Sequence, residues 1–194
     1  LVYREGEAMR TGKTNLLVGM GGSGGAADQY RRGLGLGSDE HFAKTDAHMV
    51  VIRDNVMAVV GRDTDAAFFG LTTLRRIFAQ TKGYQLRELA VTDYSDAKWR
   101  GFIEGYYGIP WSNEDRMSLM DFGGEFKMNN YMFAPKDDPY HNSQWRVPSP
   151  EDKLAEIAEM VAVGNKSKCR FVWTIHPFMS SMITEANYDQ SLID

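Results

Sequence analysis

The chain has 194 residues, of which 43 % are hydrophobic and 25 % are charged, and its formal net charge is −4. This balance is typical of a globular protein with one domain or two small ones. The acidic charge argues against a nucleic-acid-binding surface, and no apolar run approaches the roughly 18 residues of a membrane span. The single cysteine, Cys169, excludes an intramolecular disulfide bond, and its apolar surroundings predict a buried thiol. No signal-peptide pattern is visible at the charged N-terminus. Because the chain begins with Leu1 rather than Met, we expect an excised or processed piece.

A glycine-rich segment follows the first predicted strand, which covers residues 15–18. Gly19, Gly21 and Gly24 match the G-x-G-x-x-G spacing with which a Rossmann unit brings a pyrophosphate to a helix N-terminus. Further glycines interrupt the residues that follow, so no full crossover helix is predicted, and no strand with an acidic ribose ligand comes next. A flexible loop after a strand is therefore favoured, and a nucleotide-binding domain stays a remote alternative.

The next part of the chain predicts a small α+β domain over residues 1–95. Asp54 and Asn55 separate two β-rich runs, which is the pattern of a hairpin turn. The apolar residues that follow recur at helical spacing, with Asp63 or Thr64 as the N-cap and Gly83 as the end of the helix. The predicted elements are strands at 48–53 and 56–60, a helix at 64–80 and a strand at 86–91.

From residue 96 onward the pattern changes to alternating strands and helices. Strands are predicted at 99–104, 128–133 and 170–175, and helices at 113–126 and 150–163, the second with Ser149 as its cap and Pro150 as its first residue. This alternation predicts three adjacent parallel strands with right-handed crossover helices. In such folds the loops after the carboxyl ends of the strands contain the chemically active residues.

Two of these loops are rich in aromatic and charged residues: EGYYGIPW after the first strand and APKDDPYH after the second. Asp137 and Asp138 in the second loop form a pair of carboxylates, the residue type that most glycosidases use. Adjacent residues of an extended segment point to opposite faces, so these two side chains are not expected to converge on one sugar. We expect them to fix the loop through backbone N–H groups and through Arg or His contacts.

Three segments carry a resemblance to a known family: GFIEGYYGIPW, NNYMFAPKDDPYH and the stretch from WRVPSPEDK to FVWTIHP. They resemble glycoside hydrolase family 84, the retaining β-N-acetylglucosaminidases, and a weaker resemblance extends back through residues 48–99. The resemblance implies that residues 1–95 form the non-catalytic domain found ahead of the barrel in families 84 and 20. Residues 96–194 would then form the first three βα units of a TIM (β/α)₈ barrel.

The resemblance also assigns roles to residues of this chain. Lys136 matches the lysine that binds the N-acetylglucosamine ring, and Gly105 matches a glycine whose backbone lies against the sugar. Tyr107 and Asp137 would line the same pocket, although Tyr107 could equally be a packing residue. The catalytic Asp-Asp pair of the family follows the fourth strand, so no catalytic residue is expected within this chain. Phe178 stands where family members usually have glycine, which makes the shape of the third loop uncertain.

The resemblance implies no metal and no cofactor, because the substrate's own 2-acetamido oxygen acts as the nucleophile. His141 and His176 follow the second and third strands, but a zinc site needs three or four converging ligands, so a metal site is not predicted. The implied partner is a glycan or glycoprotein that contains N-acetylglucosamine, and a secreted or cell-surface bacterial enzyme is implied. The alternative is a non-catalytic carbohydrate-binding or scaffolding fragment, and an Asp-Asp strand beyond Asp194 would discriminate between the two.

Overall fold

A computed structural model describes residues 9–83, 85–105 and 107–176. The chain divides into two compact units, Leu1–Lys98 and Trp99–Asp194. Phe178 and the polar tail after it lie outside the described residues, as does Tyr106. None of the described helices is both long and apolar enough to cross a membrane.

The first unit contains a four-stranded mixed sheet with helices on its two faces. Its strands lie in the order β1-β3-β2-β4, with β1 and β3 parallel and the other two pairs antiparallel. The elements are β1 (Asn15–Met20), α1 (Ala26–Gly33), α2 (Asp39–Phe42), β2 (His48–Arg53), β3 (Val56–Gly61), α3 (Thr64–Gln80) and β4 (Leu89–Asp93).

Alternating residues of β2 enter different cores, as the pleat of a strand requires. Met49 and Val51 pack with residues of α1 and α2, while Val50 and Ile52 pack against α3. All four side chains are nearly or fully buried. A strand with both faces covered reads as a continuous apolar run, which explains the sequence MVVI.

The predicted hairpin and long helix are confirmed. Asp54 adopts a φ of 51°, which aspartate tolerates better than most residues, and the Asp63 side chain accepts hydrogen bonds from two N–H groups of the first turn of α3. The bounds of α3 are as predicted, but its C-cap is Thr81, so the expectation that Gly83 ends the helix was wrong. The start of β4 was also wrong, because this strand begins at Leu89 rather than at residue 86. Leu89 lies opposite Ile52, close to where β2 ends, so the residues before it have little strand to pair with.

The second unit is a parallel three-stranded sheet in the order β5-β6-β7, which confirms the predicted parallel pairing. Two helices connect the strands. The elements are β5 (Gly101–Glu104), α4 (Asn113–Glu125), β6 (Asn130–Phe133), α5 (Glu151–Ser167) and β7 (Arg170–Trp173). Mixed α/β structure in two sheets is thus established, whereas a closed (β/α)₈ barrel needs more strands than these three.

Several predicted boundaries in this unit move by a few residues. β6 begins at Asn130 rather than at residue 128. The preceding Asn129 contacts the residue just before β5, since its side chain accepts the N–H of Arg100 at 2.9 Å. Pro150 is the N-cap of α5 rather than its first residue, and no side chain caps this helix, so the prediction of a Ser149 cap was wrong. The helix also continues to Ser167, beyond the predicted end at residue 163.

The core of the second unit lies between the sheet and its two helices. Tyr131 and Phe133 of β6 meet Met120 of α4 and Met160 of α5, and Cys169 completes the cluster. Cys169 is fully buried, as predicted, and burial raises the pKa of its thiol to about 11. The approach of α4 to the end of α5 depends on glycine, because a Cβ on Gly124 would lie 2.0 Å from the carbonyl oxygen of Ser167.

Candidate functional site

The loops after β5 and β6 meet at the carboxyl edge of the parallel sheet. The last residues of the two strands, Glu104 and Phe133, are register partners, so Gly105 and Ala134 leave the sheet side by side. Asp137 then joins the two loops, since its Oδ2 accepts the backbone N–H of Gly108 at 2.9 Å. The sequence-predicted site residues therefore all lie on the two neighbouring loops of one edge: Gly105, Tyr107, Lys136 and Asp137.

These four residues differ in solvent exposure. Tyr107 is 72 % exposed, Gly105 and Asp137 are also exposed, and Lys136 is half-buried. A Cβ placed on Gly105 would meet only the Ile103 side chain, at 3.3 Å. Packing among the described residues therefore does not demand glycine at 105, and the space beside its backbone is open to a ligand.

Asp138 has a structural position within the second loop. Its Oδ1 accepts the backbone N–H groups of Tyr140 and His141 at 2.8 and 3.1 Å, and its Oδ2 forms an ion pair with Lys153 of α5. Loop-fixing N–H contacts were expected, whereas the cationic partner is a lysine rather than Arg or a His side chain. Since Asp137 contacts Gly108 and Asp138 contacts Lys153, the two carboxylates serve different neighbours and form no converging acid pair.

A third loop, after β7, joins the same edge through two histidines. The N–H of His176 donates to the carbonyl oxygen of His141 at 2.6 Å, and the two rings stack with their centroids 6.0 Å apart. Burial, the positive charge of Lys136 and the neighbouring His141 together lower the pKa of His176, so its imidazole is neutral at physiological pH. The charge of Lys136, in the second loop, therefore acts on a histidine of the third loop.

A buried ionic network lies directly beneath the first loop. Glu104 is fully buried. Its carboxylate accepts two hydrogen bonds from Arg116 of α4, each 2.8 Å long, and one from the hydroxyl of Tyr131, at 2.5 Å. Burial and the negative charge of Glu104 raise the pKa of Tyr131, so the phenol stays protonated and donates. Burial alone would lower the pKa of Arg116, but its hydrogen bonds and attraction to Glu104 outweigh burial and raise it.

From the sequence, Glu104 was predicted only as the last residue of a strand. The available signal was its position: Glu104 alternates with Phe102 on the helix-facing side of β5, where a carboxylate needs a buried partner. The sequence could not identify that partner, because Arg116 and Tyr131 are separated from Glu104 by 12 and 27 residues.

A cavity of about 300 Å³ lies on the helix side of the same edge. Asp137 is the only one of the four predicted site residues that lines it. Arg116, Asp138, Lys153 and Glu156 are among its polar lining residues. These side chains are already paired with one another or with neighbours, so the cavity is a cleft between α4, α5 and the second loop. It is not the space beside Gly105 and Lys136.

The glycine-rich turn of the first unit is closed by a carboxylate of its own chain. Asp28 of α1 is 1 % exposed, and its Oδ2 accepts the N–H of Gly24 at 3.1 Å. Burial raises the pKa of Asp28, but N–H groups of the glycine turn and the cations of Arg31 and Arg32 outweigh it and lower the pKa. An anionic pyrophosphate would have to displace this anion. The turn also leads into an eight-residue helix, which corrects the expectation of a flexible loop, although the helix ends at Gly33 as the glycine spacing predicts.

Comparison with known proteins gives matches over both units. The sequence model described as NAGidase, beta-N-acetylglucosaminidase, matches residues 100–193. Protein O-GlcNAcase of Rattus norvegicus and that of Mus musculus are each 30 % identical over 77 residues, which are 40 % of this chain and 8 % of those proteins.

Two solved structures match a larger share of this chain than the O-GlcNAcase sequences do. The one titled "Structure of CpGH84D" has a TM-score of 0.86 and 53 % identity, with 95 % of this chain and 32 % of that chain covered. The one titled "Structure of CpGH84B" has a TM-score of 0.67 and 28 % identity, with 85 % and 30 % covered. This chain therefore spans 32 % and 30 % of these two relatives.

Proposed function

We propose that the chain is part of a retaining β-N-acetylglucosaminidase, because it belongs to glycoside hydrolase family 84. The enzyme would remove terminal N-acetylglucosamine, including O-linked N-acetylglucosamine, from glycoproteins or glycans. One observation supports this function above the others. The hydrogen bond from Gly108 to Asp137 joins the loop of Gly105 to the loop of Lys136, at the edge where parallel α/β folds bind their ligands.

In this proposal the chain supplies part of the sugar-binding surface. The ammonium group of Lys136 donates hydrogen bonds to sugar hydroxyls, of which it can make up to about three. The backbone of Gly105 approaches the ring through the space that a Cβ would otherwise occupy. The exposed ring of Tyr107 and the carboxylate of Asp137 lie at the rim of the same pocket.

The bond-breaking step uses the substrate's own acetamido group, in contrast to the two-carboxylate scheme of most glycosidases. The acetamido oxygen attacks the anomeric carbon while the bond to the leaving oxygen breaks, and that oxygen takes a proton from a general acid. The resulting oxazoline is opened by water, which restores the original configuration. The family's Asp-Asp pair would orient the acetamido group and supply the acid. It would follow a fourth strand of a (β/α)₈ barrel whose first three strands are β5, β6 and β7.

The test is the release of 4-nitrophenol from its β-N-acetylglucosaminide. We expect turnover by the full-length protein and none by the 194-residue chain alone, because a positioned general acid is typically worth about 10² to 10⁴ in rate. The matched control is 4-nitrophenyl β-glucoside, which lacks the acetamido nucleophile and should not be cleaved. Equal turnover of both substrates would contradict acetamido participation. Turnover by the chain alone that disappears in Asp138→Ala would contradict the expected location of the acid.

A further inference from the structure

We propose that the buried Glu104–Arg116–Tyr131 network positions the first loop, residues 107–112, together with Gly105, for sugar binding. This inference rests on the proposed function and assigns a positioning role to three residues that do not touch the sugar. Glu104 directly precedes Gly105, and Arg116 lies in the first turn of α4, which begins where the loop ends. The network therefore links the two ends of the loop through one buried ion pair.

The ion pair between the two ends of the loop fixes the orientation of Glu104 relative to Arg116 as well as the distance between them. The Nε and Nη2 atoms of Arg116 donate to different oxygens of Glu104, each over 2.8 Å, which is the two-point geometry that arginine forms with a carboxylate. The hydroxyl of Tyr131 on the neighbouring strand donates to Oε2 as well. With both carboxylate oxygens bonded, the last residue of β5 has a defined orientation when the chain leaves the sheet at Gly105.

The same arginine extends the network toward the following helix. Its Nη1 donates to Oδ1 of Asn113 at 2.7 Å, and the amide of Asn113 donates to Glu156 of α5 at 2.9 Å. Ser112 caps α4 by accepting the N–H of Asp115 at 3.1 Å. The start of α4 is thus connected to both β5 and α5, and the loop between Gly105 and Ser112 is fixed at each end.

Stability alone does not account for these three polar residues. Removing a carboxylate and a guanidinium from water is costly, and apolar side chains of similar volume often give equal or greater stability. What apolar residues do not reproduce is the orientation that paired N–H···O bonds impose, nor can lysine reproduce it, because a single ammonium group lacks the fork of donors. The network is therefore expected to affect where Gly105 and Tyr107 lie more than how stably the unit folds.

The experiment uses the full-length protein with the triple substitution Glu104→Met, Arg116→Met and Tyr131→Phe. We expect KM for 4-nitrophenyl β-N-acetylglucosaminide to rise about tenfold with little change in kcat, as when an interaction common to bound substrate and transition state is lost. We also expect Tm to stay near the parent value. The matched control is Cys169→Ala, which creates a defect in the same core and should leave KM unchanged. An unchanged KM in the triple variant would overturn the proposal.

Hydrogen exchange separates this proposal from the proposed function. In the folded triple variant the backbone amides of this loop that carry a hydrogen, those of residues 107–109, 111 and 112, should exchange about tenfold faster than in the parent or in Cys169→Ala, since local opening sets their protection. Equal exchange would overturn the positioning role even if the enzyme is active. If the parent protein shows no turnover, the proposed function fails and exchange alone decides. Should the triple variant not fold, Arg116→Lys, which keeps the charge without the fork, is measured in its place with the same expected directions.

Discussion

The two units each contain an aspartate that accepts a hydrogen bond from a glycine N–H, with opposite consequences. In the first unit Asp28 bonds Gly24 from a side chain that is 1 % exposed and is also paired with arginines. In the second unit Asp137 bonds Gly108 from an exposed position at the edge of a parallel sheet. The first contact closes a turn against ligands, whereas the second joins two loops and leaves the space beside them open.

The comparison shows that glycine spacing alone does not identify a ligand site. The turn with the stronger motif, at Gly19, Gly21 and Gly24, is already occupied by an internal anion. The loops with the weaker glycine pattern leave Gly105 and Tyr107 exposed and contain a half-buried cation, Lys136. A turn can bind a ligand only if its polar groups are not already paired within the protein, and a sequence motif does not contain that information.

The largest expected effect comes from removing the closing carboxylate of the first unit. Asp28→Ala removes the buried carboxylate that pairs with Arg31 at 2.8 Å and leaves this arginine, which is 3 % exposed, with only the more distant and exposed Asp39 as an anionic neighbour among the described residues. Breaking a buried pair in this way typically costs about 3–5 kcal/mol. The loss is measured as the free energy of opening of β1 and α1 from hydrogen exchange in the full-length protein. The affinity for an N-acetylglucosamine-derived inhibitor should not change.

The matched control for that variant is Asp39→Ala. The Asp39 side chain is 83 % exposed and lies 3.6 Å from the same arginine, so its loss should be worth less than about 1 kcal/mol. If the opening free energies of the two variants are equal, the Asp28 carboxylate does not close the turn.

The contribution of Asp28 to stability should also depend on pH. Because the pKa of Asp28 is lowered in the folded protein, this contribution is fully present above the ordinary carboxyl range and is lost as the pH falls through the lowered value.

An intermediate effect is expected from Lys136→Ala at the open edge. Losing charge-assisted hydrogen bonds to the sugar should weaken inhibitor binding by about 1–3 kcal/mol, measured by calorimetry on the full-length protein. The control is Lys166→Ala, which removes an exposed lysine near the opposite end of α5. If both variants bind as tightly as the parent, Lys136 does not belong to the site.

The smallest effect is expected from Asp137→Ala. Its hydrogen bond to Gly108 is exposed, so the loss of stability should be near the lower end of the usual range, about 0.5 kcal/mol. Asp137→Asn keeps an oxygen acceptor and separates the loop contact from the negative charge. A drop in inhibitor affinity in both variants would point to the carboxylate charge itself as a sugar contact, and a drop in the alanine variant alone to the loop junction.

Much of the secondary structure was predictable because local patterns determine it. Helix α3 and strand β2 have the predicted bounds, since apolar periodicity, the Asp63 cap and a β-branched run all agree. The start of β4 was predicted wrongly because it depends on the partner strand. β4 pairs antiparallel with β2, so it begins opposite the end of β2, and the residues around Leu89 do not reveal where β2 ends.

The sequence by itself placed Gly105, Tyr107, Lys136 and Asp137 on two loops that follow strands, and the parallel pairing brings those loops to one edge. Only the tertiary structure revealed that Asp28 fills the glycine turn and that Glu104 binds two residues from other elements. The physical reason is that periodicity reports which side of an element a residue faces. The partner of a buried charge is chosen by the packing of segments that are distant in the chain.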